Sequence, residues 1–133
     1  MVMEARRRPG SMRGSATVEF ALVMPMLVLV CLAFVQVGLL VRDQLVVVGA
    51  ARGAAREAAV ESRESEIWDA MVAAASVIPP DALSMDVDRG GGRGEPVTVE
   101  VRYTARFGVP FVGWLFPHTV GIVGRATMRQ EYG

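Results

Sequence analysis

A chain of 133 residues with 14 basic and 14 acidic side chains carries no net charge and has room for one small domain besides a membrane segment. That balance removes the electrostatic basis for nucleic-acid binding. The single cysteine, Cys31, excludes an intrachain disulfide framework and reads as a small buried hydrophobe.

The first thirteen residues set Arg6, Arg7, Arg8 and Arg13 against one acid, Glu4. Basic flanks stay cytoplasmic, so the N-terminus is expected inside and everything beyond Val41 outside. From Phe20 to Val41 no residue is charged. About 22 positions at roughly 1.5 Å each cover a hydrocarbon core of about 30 Å, which predicts a membrane-spanning helix. Glu19 stands at its start, where an acid carried to mid-bilayer costs about 2.5–3.5 kcal/mol and calls for a partner or a purpose. A secretory signal is the rival reading. Against it, the apolar run exceeds an ordinary signal core, and the nearest small-x-small site, Val48-Gly49-Ala50, lies well beyond. An uncleaved signal anchor competes as well.

Pro25 should kink or loosen the helix, while Gln36 and Gly38 allow a polar contact and a close approach to another helix. The helical pattern continues past Arg42 and Asp43 to about Glu61. Ala50, Ala54 and Ala58 line one stripe and Ala51, Ala55 and Ala59 the next, with Arg52 and Arg56 on another face. Small residues at this spacing let helices approach backbone to backbone. The stripe reads either as a packing face against other subunits or as an alanine-rich helix favoured by propensity. Gly49 and Gly53 are its weak points.

Ser65 reads as the N-cap of a second helix, with Ile67, Met71, Ala74, Ala75 and Ile78 on one face and Pro79-Pro80 as its stop. Leu83, Met85 and Val87 then alternate with polar residues as a strand. Gly90 to Pro96 turns the chain and lacks the Gly-Lys-Ser/Thr of a phosphate loop. Val97, Val99, Val101, Tyr103, Ala105 and Phe107 predict the clearest strand, and Val120, Ile122, Ala126 and Met128 a last one that turns Val123, Arg125, Thr127 and Arg129 outward. The predicted fold is α+β: a long transmembrane helix continuing outside the membrane, a short helix, and an antiparallel sheet of about three strands. So small a core needs support from the long helix or from partners. Between the last strands, Phe111, Trp114 and Phe116 pack under the sheet, dip into the membrane interface, or dock a partner. His118 has no second ligand nearby.

Gly14, then Glu19 and Phe20 after four intervening residues, then the apolar helix, resemble the processing site of Flp-type (class IVb) prepilins and their pseudopilins. The wider sequence resembles the TadE-like minor pseudopilins of tight-adherence pilus systems, strongly over residues 13–60 and more weakly at the tail, where Ala126 to Glu131 resembles the family's ending. The resemblance implies peptidase cleavage between Gly14 and Ser15. Residues 1–14 would then be a leader, 15–62 a pilin-like helix and 63–133 an extracytoplasmic domain. Glu19 would pair with the new amine of its own or a neighbouring subunit and set subunit register; alternatively it is a plain first-turn acid at headgroup level. Phe20 fits the minor branch of the family, and Gly38, Ala50, Ala51, Ala54, Ala55 and Ala58 are the candidate helix-packing residues.

The implied location is the bacterial cytoplasmic membrane, with possible incorporation into a surface pilus. The implied partners are membrane lipid, the prepilin peptidase, pilin and pseudopilin subunits and the membrane platform. No nucleophile–base pair, metal spacing or cofactor fingerprint is present, so no enzyme activity, cofactor, metal or small-molecule substrate is expected. The alternative class is a membrane-tethered binding module, which needs neither Gly14 nor Glu19.

Overall fold

The computed structural model describes residues 12–106 and 119–131. In chain order it has helix α1 (Met12–Val60), helix α2 (Glu64–Ala74), one 3-10 turn (Pro80–Ala82), and strands β1 (Leu83–Arg89), β2 (Pro96–Arg106) and β3 (Thr119–Arg129). The strands form one antiparallel sheet in the order β1-β2-β3. This is the predicted α+β architecture. The chain divides into two compact units after Gly38.

The first unit holds the apolar part of α1. The helix continues unbroken past Pro25, although proline lacks the N–H that would bond one turn back. Uninterrupted helix is what an apolar run needs in hydrocarbon, because the backbone then satisfies its own polar groups.

The second unit begins at Leu39 and so includes the rest of α1. Its core joins Val47 and the alanines of α1 to Ile67 and Met71 of α2 and to Val97, Val99 and Val101 of β2. The sheet follows from alternation: inward positions of β2 are buried and Thr98, Glu100, Arg102 and Thr104 stand on the other face. In β3, Val123 is the exposed apolar residue on the outer face, as the sequence predicts.

Helix α2 departs from the expectation at both ends and at Ala74. Its N-cap is Arg63, not Ser65, and no side chain caps it. The Glu61 carboxylate instead accepts the N–H groups of Ser62 and Arg63 (2.8 and 3.0 Å), and the Arg63 carbonyl accepts from Glu66 and Ile67. The helix starts at Glu64, with Glu64 and Glu66 in its positive first turn. At the other end the helix stops at Ala74, before Pro79-Pro80. Ala75 closes it by donating to the carbonyls of Met71 and Val72, and Ile78 joins the core from the turn that follows. Ala74, expected on the buried face, is exposed.

Candidate functional site

The apolar segment of α1 is the candidate membrane site. Its run without charge suits an apolar helix, and among the described residues no other element covers it. None of its most apolar stretch is buried; Leu22 is 76% and Phe34 73% exposed. A core helix of a soluble fold would be mostly buried, so this helix is left with a surface that only hydrocarbon or other helices can cover.

At its start, Gly14, Ser15, Glu19 and Phe20 are all exposed, within α1. Gly14 has open space around its Cα. The two pairs lie roughly one helical turn apart, so cleavage after Gly14 would place a new amine near the Glu19 carboxylate. Cys31 is exposed within the same apolar segment, not the buried residue expected of it. Gly38 is exposed, and a Cβ on it would meet nothing within 4 Å among the described residues.

The alanine stripe lies in the second unit. Ala50, Ala51, Ala54, Ala55 and Ala58 are fully buried, covered by this chain's own α2 and sheet. Small side chains here serve close packing within the chain. Gly53 shows how close: a Cβ on it would lie 3.3 Å from Ala74 Cβ. Gly124 is tighter still. A Cβ there would lie 2.7–2.9 Å from the α1 backbone at Val47 and Val48, so β3 meets α1 backbone to backbone.

Polar contacts hold the same unit together. Gln44 Nε2 donates to the Val123 carbonyl (3.1 Å), and the Glu131 N–H donates to the Ala59 carbonyl (2.8 Å). Arg89 donates to the carbonyls of Ala58 (3.0 Å) and Glu61 (3.2 Å), placing a cation at the C-terminal end of α1. Gly124 and Arg89 are not among the residues singled out by the sequence pattern. A glycine at an inward strand position is a signal for close backbone approach; Arg89, at the end of a strand, carried no such signal.

The outer face of the sheet is polar. Asp86, Glu100 and Arg125 fall in one row and Asp88, Thr98 and Thr127 in the next. Arg125 and Arg102 both pair with Glu100, and the Arg125 hydrogen bond, chiefly, holds that carboxyl below its usual range. The hydroxyls of Thr98 and Thr127 hydrogen-bond at 2.9 Å. Among the described residues no cluster of His, Cys, Asp and Glu is arranged to hold a metal. The leader residues up to Ser11 and the aromatic segment with Phe107, Phe111, Trp114, Phe116 and His118 lie outside the described residues.

Residues 14–56 match the family model of TadE-like proteins, the family the sequence resembles. The match starts at Gly14 and runs through the apolar segment into the alanine stripe. Comparison with curated proteins and with solved structures gave no match.

Proposed function

We propose that the chain is a non-enzymatic minor pseudopilin, a single-pass membrane subunit that assists assembly of a tight-adherence pilus or a related secretion filament. The observation that carries this reading is the coincidence of three features in one stretch. The family match begins at Gly14, Glu19 and Phe20 follow at the spacing of a prepilin processing site, and the most apolar stretch of the helix they open has no buried surface. In this reading a prepilin peptidase cuts between Gly14 and Ser15 and removes the basic leader. The segment then stays in the cytoplasmic membrane with the α+β domain outside. Glu19 pairs with an N-terminal amine, because opposite charges within a few ångströms favour both ionised forms. Pilin, sister pseudopilins and the membrane platform are its partners.

The test is the N-terminal sequence or intact mass of the protein from its host's membranes. A chain starting at Ser15 is expected. A chain that keeps Arg6-Arg7-Arg8 in a host with an active prepilin peptidase would overturn the pseudopilin reading in favour of a tethered binding module.

A further inference from the structure

The outer surface of the helical layer in the second unit is not used by the anchor. In α1 the alanines face the core, so Leu45, Arg52 and Arg56, on the opposite side of the helix, point outward, and all three are exposed. In α2, Ile67 and Met71 face that same core, which turns the exposed Glu66 and Asp69 outward. Gly53 meets Ala74 and the carbonyl of Ala70, so the two helices lie side by side. Their charged faces therefore look out on the same side, away from the sheet. The α1 half is basic and the α2 half acidic. Glu66 pairs with Arg63 (3.2 Å), while no ion pair joins Arg52, Arg56 or Asp69 to another described residue.

We propose that this face is a self-complementary interface between two copies of the chain, with Arg56 of each copy against Asp69 of the other. The levels match. Because α2 runs back along α1, the contact of Gly53 with Ala74 sets Arg56 and Asp69 within about 3 Å of one height at 1.5 Å per residue, inside the reach of an arginine. A two-fold axis along the helix direction lays α1 of one copy over α2 of its partner and preserves that height. Both copies then keep the Leu39 end of α1 on one side, as a shared membrane requires. Such an isologous contact repeats each charge pair twice. An anionic lipid surface fits only the basic half and is repelled by the acidic one. The choice of axis rests on the membrane-anchored reading; the charge complementarity does not.

The experiment co-expresses two differently tagged full-length copies and captures one tag from detergent-solubilised membranes. Wild-type copies should be captured together. Arg56→Glu in both copies, or Asp69→Arg in both, should lower co-capture about tenfold. One copy carrying Arg56→Glu with one carrying Asp69→Arg should recover much of it, since one cross-copy pair becomes Glu against Arg and the other stays Arg against Asp. Recovery also shows that both variants fold. No co-capture of wild type, co-capture indifferent to the substitutions, or no recovery with both chains inserted at wild-type amounts would overturn the interface. With the co-expression done in a host that has an active prepilin peptidase, the N-terminus read on the same samples separates the two ideas: an uncleaved chain that still pairs overturns the pseudopilin reading alone.

Discussion

Gly124 shows how one residue decides the packing of an element. It occupies an inward position of β3, level with Val101 of β2, and any Cβ would press on the Val47 and Val48 backbone. Backbone cannot rotate away as a side chain can, so the helix must lift. Gly124→Val is therefore expected to cost about 1–3 kcal/mol, the usual penalty of overpacking, read as a lower thermal midpoint of the full chain in detergent. Gly121→Val in the same strand meets nothing within 4 Å and should leave the midpoint unchanged or raised, valine being a good strand former. Glu19 is tested at the same scale. If it sets register by pairing with an amine, Glu19→Ala should be cut normally yet recovered poorly in the assembly. Normal incorporation of the processed variant would remove that role.

At the scale of elements, the junction of α1 and α2 rests on Glu61. Hydrogen bonding from the Arg63 side chain, then from the Arg63 and Ser62 N–H groups, takes its carboxyl from the usual 4.5 to about 2. A carboxyl lowered in the folded chain stabilises it fully above its unfolded pKa and loses that contribution as pH falls towards the folded value. The difference in urea midpoint between wild type and Glu61→Gln should thus be largest above about pH 5 and shrink towards pH 2. A difference that stays constant across this range would show that charge plays no part. The junction also marks how far elements could be read from sequence. Period-two alternation in β1, β2 and β3 and the apolar run of α1 are local patterns, and they gave the strands, their faces and the long helix. The start of α2 differs from the Ser65 expectation because no serine caps it: Glu61 holds the Ser62 and Arg63 N–H groups just before the helix, and Arg63 stands at the N-cap. The alanine stripe was legible as a packing face, but its occupant was not: periodicity shows that a face is buried, and only tertiary structure shows against what.

For the whole molecule, the division after Gly38 separates two kinds of surface. The second unit has a core of its own, with seventeen buried apolar residues among those described, shared among α1, α2, the following turn and the sheet, whereas the first exposes nearly every apolar side chain from Val18 to Val37. Apolar surface of that extent is stable only when water is excluded from it. A charge should then act oppositely in the two units. Leu29 lies near the middle of the uncharged run, so Leu29→Arg should cost about 2.5–3.5 kcal/mol of insertion and move much of the chain from the membrane pellet to the supernatant on alkaline extraction. Val77, 56% exposed in the second unit, already faces water, and Val77→Arg should leave retention as in wild type. Equal retention of both variants would mean that hydrocarbon does not hold this segment. Loss of both would mean that the second unit makes the membrane contact. Loss of Leu29→Arg alone assigns the exposed face of α1 to lipid, because a polar assembly of other subunits would accept an arginine at some orientations and a hydrocarbon core charges for it at all of them.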